Sequence, residues 1–132
     1  MQMKPGISLI ADMIRYQASV RPGNVATVFE NRETTFAELD QRSSQVANGL
    51  SAEGLGPQAR VAVLDKNSDV FFEIMFGAAK ARDVMIGVNW RLSPSEAAYV
   101  IRDATAEILF VGQDFIPVVE QVLGELGAVK KI

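Results

Sequence analysis

The sequence points to an α/β chain: an N-terminal β-hairpin and helices, followed by a doubly wound parallel sheet that is incomplete, in the order strand, helix, strand, helix, strand, helix. Three observations carry this. Short apolar runs at Arg60–Leu64, Val84–Val88 and 107–111 alternate with helix-like segments, as parallel strands buried on both faces do. Two helix starts are written out as capping boxes. The polar trio Glu30-Asn31-Arg32 separates two β-prone stretches, 26–29 and 33–35, as in a hairpin.

In chain order, a helix is expected over 8–19 with Leu9, Ile10, Met13 and Ile14 facing inward, ended by the turn Arg21-Pro22-Gly23-Asn24. After the hairpin, Thr35-Phe36-Ala37-Glu38 is the first capping box: the Thr35 hydroxyl accepts from the Glu38 amide, and the Glu38 carboxylate accepts from the Thr35 amide. That helix places Phe36, Leu39, Val46, Ala47 and Leu50 on one stripe, and Gly54 suits its end. Ser68 stands where it can cap a helix over 69–82. Its Phe71, Phe72, Ile74, Met75, Phe76, Ala78 and Ala79 make it apolar on most sides and therefore largely buried. Ser93-Pro94-Ser95-Glu96 is the second capping box, with Pro where the first turn needs no amide hydrogen, and opens a helix to about Ala104. Ile116, Val119, Val122, Leu123 and Leu126 give a helix over 115–126, and 128–132 reads as the opening of a fourth parallel strand. A strand that breaks off at its onset suggests a piece of something longer. The chain divides into 8–57 (helix, hairpin, capped helix) and 58–132 (the βαβ unit), together one subdomain over 1–132.

Composition narrows the chemistry. The 132 residues include no Cys and no His, which removes disulfides, thiolate nucleophiles, the Ser-His-Asp arrangement and the usual zinc sites. Thirteen Lys and Arg against sixteen Asp and Glu are spread along the chain, a net charge of −3 that does not suit nucleic acid. The uncharged run from Val84 to Trp90 falls far short of the ~20 residues of a membrane span. The N-terminus lacks the apolar core of a signal peptide, so a cytoplasmic protein is expected. Neither phosphate-loop nor dinucleotide-binding glycine pattern occurs; Gly54-Leu55-Gly56 is read as a helix stop and turn.

Ligands of parallel α/β sheets gather at the carboxyl ends of strands. Those positions hold Asp65, Lys66 and Asn67, then Asn89, Trp90 and Arg91, then Gly112, Gln113 and Asp114. Asp65 with Lys66 and Asp69 admits a receiver-like phosphoacceptor, although Asn89 and Gly112 stand where a second acid would be sought. Glu96, Asp103 and Glu107 are read as solvated or capping carboxylates rather than an acid–base pair. Phe71, Phe72 and Phe76 are read as core rather than an acyl pocket. Trp90, between Asn89 and Arg91, suits an interface or a pocket wall.

Three segments together resemble the N-terminal part of the acyl-CoA synthetases, in the AMP-binding, adenylate-forming superfamily. They are Thr34-Thr35-Phe36-Ala37-Glu38-Leu39; Arg60-Val61-Ala62-Val63-Leu64 with Asn67-Ser68; and Phe76-Gly77-Ala78-Ala79-Lys80-Ala81, continuing through Val88-Asn89-Trp90-Arg91-Leu92-Ser93 to Glu96. Arg82 and Asp83 depart from the family's Gly-Ala, Gly87 from its common Pro, and Pro57-Gln58-Ala59 from a Gly-Asp pair before Arg60. The resemblance implies an ATP-dependent carboxylic acid–CoA ligase, with a fatty acid favoured. The parent enzyme would use ATP, Mg and CoA to form an acyl-adenylate and then a thioester. The family's phosphate loop, nucleotide contacts, hinge and catalytic lysine lie downstream of the matching part. The resemblance therefore implies no catalytic, cofactor-binding or metal-binding residue in 1–132, no cofactor bound to this chain alone, and an inactive isolated chain. Thr35, Glu38, Lys80, Asn89, Trp90 and Arg91 are carried over as structural-motif or interface residues.

Its expected partner is the remainder of the same enzyme. Cut free, the chain is expected to self-associate through apolar surface along the last strand and around 71–79. The alternative is a stand-alone, non-catalytic binding or assembly module of doubly wound form.

Overall fold

The structure is a computed structural model that describes residues 6–132. By internal contacts the chain forms two compact units. One holds the described residues up to Gly54 together with Ser68–Arg82; the other holds Leu55–Asn67 with Asp83–Ile132.

The first unit contains α1 (Ile10–Val20), the antiparallel pair β1 (Val25–Phe29) and β2 (Arg32–Thr35), α2 (Phe36–Ala52) and α3 (Asp69–Ala81). Phe29 pairs with Arg32, so the hairpin loop has two residues rather than three, and Glu30 takes a left-handed backbone (φ 53°) to close it. The turn after α1 does more than end the helix: its Asn24 and Pro22 carbonyls accept from the first amides of α2, Phe36 and Ala37, at 3.0 and 3.1 Å. Helix-start donors that lack partners inside the helix are thereby satisfied. Thr35 and Glu38 make the reciprocal box, with Thr35 N–H donating to Glu38 Oε2 at 2.8 Å and Glu38 N–H to Thr35 Oγ1 at 3.3 Å. Gly54, at φ 70°, follows α2 as foreseen.

Two readings in this unit are corrected. On α1 only Ala11 and Ile14 are buried, whereas Leu9, Ile10 and Met13 are exposed. Ser68 precedes α3 but its side chain makes no cap bond. Asp69 takes over that end, its carboxylate accepting from Val70 N–H at 3.1 Å and from the Arg32 guanidinium at 2.9 and 3.1 Å. α3 buries Ile74, Gly77 and Ala78, while Val70 and Phe72 are exposed. Gly77 marks where α2 and α3 come closest: a Cβ there would lie 2.5 Å from Val46 Cγ1 and 3.0 Å from the Ser43 carbonyl.

The second unit is built on a three-stranded parallel sheet, ordered β4 (Val84–Val88), β3 (Arg60–Leu64), β5 (Ala106–Val111). α4 (Pro94–Asp103) and α5 (Ile116–Glu120) pack onto it around Leu64, Leu109, Ile101, Phe115 and Val119. The second capping box forms as expected, Ser93 N–H donating to Glu96 Oε2 at 2.9 Å.

The long terminal helix does not. The segment is a 3₁₀ turn (Gln113–Phe115), the five-residue α5 with Pro117 in its first turn, and a second 3₁₀ turn (Leu123–Glu125). β-branched Val122 leaves the helical region at φ −128° and Gly124 follows, a weak helix former. Helical spacing of the apolar residues did bury Val119, Val122 and Leu126, but not Ile116 or Leu123. At the C-terminus, Lys130 N–H donates to the Glu107 carbonyl at 2.8 Å and Leu109 N–H to the Lys131 carbonyl at 3.0 Å, a single parallel bridge beside β5.

Both places where the sequence departs from the family's glycine have left-handed backbone: Gln58 at φ 66° and Arg82, the end of α3, at φ 64°.

Candidate functional site

In the second unit the carboxyl ends of the three strands converge, and the register explains which residues meet. Leu64 pairs with Val88 in adjacent parallel strands, so two residues further on Lys66 lies beside Trp90. Lys66 Nζ sits 5.3 Å from the Trp90 ring centroid, and Arg91 Cζ 4.4 Å from it. Both fall within the range of attraction between a cation and the ring's negative face. Phe115 meets Trp90 at 6.1 Å and 49°. Trp90 is half-buried against the core of this unit, while Lys66 and Arg91 are exposed.

The turn carrying Trp90 is fixed by Asn89. Its side-chain Oδ1 accepts from Arg91 N–H at 3.0 Å and its carbonyl from Leu92 N–H at 3.1 Å. Such a turn closed by an Asn side chain needs a short polar residue at its start. Asp65 Oδ1 accepts from Lys66 N–H at 2.7 Å, and its carboxyl lies against Gly112, where a Cβ would overlap it. Gly112 N–H in turn donates to the Leu64 carbonyl at 2.9 Å. The Asp65 of the receiver-like reading is thus turned onto its own chain and Gly112. No group of three His, Cys, Asp or Glu that could hold a metal ion occurs among the described residues.

Neither Lys66 nor Arg91 has a carboxylate partner among the described residues, unlike Arg15, Arg32, Arg42, Lys80 and Lys130. Two exposed, unpaired cations flanking one indole at the carboxyl edge of a parallel sheet make a surface that attracts an anion and offers an aromatic face to a flat group. The sequence puts Lys66 at a strand end without joining it to Trp90; the strand register is the signal that links them.

The remaining motif residues lie in the first unit and serve its packing. Lys80 is buried, its side chain 3% exposed, and its Nζ donates to the Asp40 carbonyl at 2.7 Å, Asp40 Oδ1 at 2.6 Å and Ser44 Oγ at 2.8 Å. All three ammonium donors are used. The capping bonds from Thr35 hold Glu38 below its ordinary carboxyl range, and those from Ser93 do the same for Glu96. A shallow groove of about 260 Å³, as apolar as it is polar, lies along Gly6, Ile7, Asp12, Arg15, Tyr16 and Ser19. Among the described residues no helix is long and apolar enough to cross a membrane.

Comparison with known proteins agrees with this architecture. The family of AMP-binding enzymes matches residues 14–132. The fatty acid–[acyl-carrier-protein] ligase ScoC of Streptomyces coeruleorubidus is 36% identical over 118 residues, which is 89% of this chain and 23% of ScoC. A long-chain-fatty-acid–CoA ligase of Thermus thermophilus is 37% identical over 101 residues, 76% of this chain and 19% of that enzyme. Among solved structures, the N-terminal domain of FACL13 from Mycobacterium tuberculosis superposes with a TM-score of 0.90 at 28% identity, covering 95% of this chain and 33% of that one. The anthranilate CoA ligase AuaEII with anthranoyl-AMP superposes at 0.89 and 29% identity, covering 95% and 25%. The chain spans roughly a quarter or less of the curated relatives it matches. On the family match and the shared fold, the chain belongs to the AMP-binding enzymes and corresponds to an N-terminal portion of an adenylate-forming ligase.

Proposed function

We propose that the chain is the N-terminal part of an ATP-dependent carboxylic acid–CoA ligase, one that forms an acyl-adenylate and then a CoA thioester. The observation that carries this is the family match over 14–132 together with the superposition on N-terminal domains of such ligases. A fatty acid is the favoured substrate, supported by the fatty-acid ligases among the relatives. Relatives named for aromatic acids make the acid panel broad.

ATP, Mg²⁺ and CoA are the expected cofactors of the whole enzyme. The resemblance implies no cofactor-binding residue within this chain; the pairing of Lys66 and Arg91 with Trp90 supports one departure from it, a surface suited to a ligand's phosphate. Metal ligands are expected from the rest of the enzyme. The isolated chain is expected to be inactive and to self-associate through exposed apolar side chains such as Val70, Phe72 and Val84.

The test compares the complete gene product with the 132-residue chain, using ATP, Mg²⁺ and fatty, aromatic and short-chain acids. Pyrophosphate release and acyl-CoA are the readouts. Thioester formation by the complete product alone, strongest with fatty acids, is the expected result. A complete product that activates no acid, or turnover by the short chain, overturns the reading.

A further inference from the structure

The last turn of α2 is built from weak helix formers: Asn48, Gly49 and Ser51 all disfavour helix relative to alanine. Gly49 costs the most, and the packing does not ask for it. Its backbone is not left-handed, and a Cβ there would meet no atom within 4 Å. The turn also closes loosely. Glu53 and Gly54 N–H donate to the Leu50 and Ser51 carbonyls at 3.2 Å, three residues back instead of four, the poorer bonding of a 3₁₀ end. Asn48 and Gly49 are exposed, and Leu50 is the only buried residue from 48 to 52.

We propose that Asn48-Gly49 is a site of spontaneous covalent modification whose rate is set by the opening of this turn. The Gly49 backbone nitrogen gives up its proton and bonds to Asn48 Cγ. The Cγ–Nδ2 bond breaks, and the side-chain nitrogen leaves as ammonia. Water then opens the five-membered imide. Attack at the side-chain carbonyl leaves aspartate; attack at the main-chain carbonyl leaves isoaspartate, with the chain running through Cβ and Cγ. Only water is consumed. Glycine suits the second position because it has no Cβ to obstruct the ring. Within the helix the ring cannot close, since helical geometry fixes ψ at Asn48 and directs the Gly49 N–H to the Gln45 carbonyl. Attack therefore waits for local opening, against which Leu50 is the anchor. The product does not restore the helix. Aspartate adds negative charge to a helix end with no basic residue in its last turn, and isoaspartate inserts an extra backbone carbon.

The test incubates the complete gene product at mildly alkaline pH and follows Asn48 by peptide mass mapping, with fragmentation that separates aspartate from isoaspartate. A synthetic peptide spanning residues 43–54 gives the rate for the open chain. Both acids are expected at position 48, formed about threefold to a hundredfold more slowly than in the peptide, the protection of a helix end that opens locally. A rate within threefold of the peptide removes the control by α2. A rate below a hundredth of it, or an intact Asn48, overturns the site. Two variants of the complete product test the parts. Gly49→Ala is expected to slow conversion at least about fivefold, by obstructing the ring and firming the helix; a smaller effect refutes attack by this nitrogen. Leu50→Ala, with α2 still helical by circular dichroism, is expected to speed conversion at least about fivefold. If it does not, Leu50 is not the anchor. Where that variant unfolds, Gly49→Ala and the peptide comparison decide. The readout is mass and not catalysis, so the outcome is independent of the ligase reading.

Discussion

Lys80 Nζ lies 2.6 Å from Asp40 Oδ1 across forty residues of sequence, with the lysine side chain 3% and the aspartate 32% exposed. The same ammonium binds the Asp40 carbonyl, which also accepts from Ser43 Oγ at 3.0 Å. One buried cation thus ties α3 to the start of α2. Taking away a single partner is worse than taking away the charge, because it leaves a buried ammonium under-satisfied. Asp40→Ala is expected to destabilise by about 1–3 kcal/mol. Lys80→Met keeps the aliphatic stem, and is expected to cost less than Asp40→Ala. Urea titrations of both variants check the order; the reverse order refutes it.

At the carboxyl edge of the sheet, Gly112 makes room for the Asp65 carboxyl. Its φ of −67° is open to any residue, so space and not backbone freedom demands the glycine. Gly112→Ala is expected to displace Asp65 and break its 2.7 Å bond with the Lys66 amide, costing about 1 kcal/mol. Asp65→Ala in that background is expected to recover most of the loss. A double-mutant cycle that closes without coupling contradicts the clash.

Gln58 and Arg82 both carry a positive φ without being glycine. The left-handed conformation costs a side-chain-bearing residue about 1–2 kcal/mol, and glycine's looser unfolded chain takes back roughly 0.5–1 of that. Gln58→Gly and Arg82→Gly are each expected to stabilise by about 0.5–1 kcal/mol, a rise of about 2–4 °C in Tm. The two sites lie in different units, so the gains are expected to add.

Two aspartates give opposite pH signatures. The hydrogen bond from Arg32 holds Asp69 below its ordinary 3.8, so its contribution is present above that value and is lost as pH falls through the lower folded value. Arg32→Ala is expected to destabilise at pH 7, with the difference from the parent chain shrinking towards pH 2. Burial, helped by Glu107, raises Asp83 above 3.8, so its ionisation opposes folding above the raised value. Asp83→Asn is expected to stabilise at neutral pH, a gain that fades as pH falls from the raised value towards 3.8 and is absent below it. Thermal melts followed by circular dichroism across pH 2–8 read both signs.

Lys66 and Arg91 bear on the proposed ligase activity. Being exposed and without ion-pair partners among the described residues, they contribute to stability only their contact with Trp90, about 0.5–1 kcal/mol each. In the complete enzyme, Lys66→Ala and Arg91→Ala are expected to raise KM for ATP or CoA severalfold, with a smaller change in KM for the acid. Unchanged constants for both phosphate-bearing substrates would remove this surface from the binding role.

Structure that closes within a few residues could be read from the residues themselves. Both capping boxes, the exact spans of β3 and β4, and the α4 start are set by neighbours at most four positions apart or by unbroken apolar runs. The three family motifs lie on these elements and on the end of α3. Periodicity was less informative where it names a stripe without naming what covers it: α1 has two apolar faces, and only packing selected Ala11 and Ile14 for burial. In the segment after β5, the spacing correctly singled out Val119, Val122 and Leu126, yet Pro117, Val122 and Gly124 broke the helix that the spacing implied. Contacts between distant residues stayed hidden altogether. The burial of Lys80 on Asp40, the grip of Arg32 on Asp69 and the meeting of Lys66 with Trp90 each depend on how elements pair in space, because the energy of a buried or paired charge is set by surroundings the chain acquires only on folding.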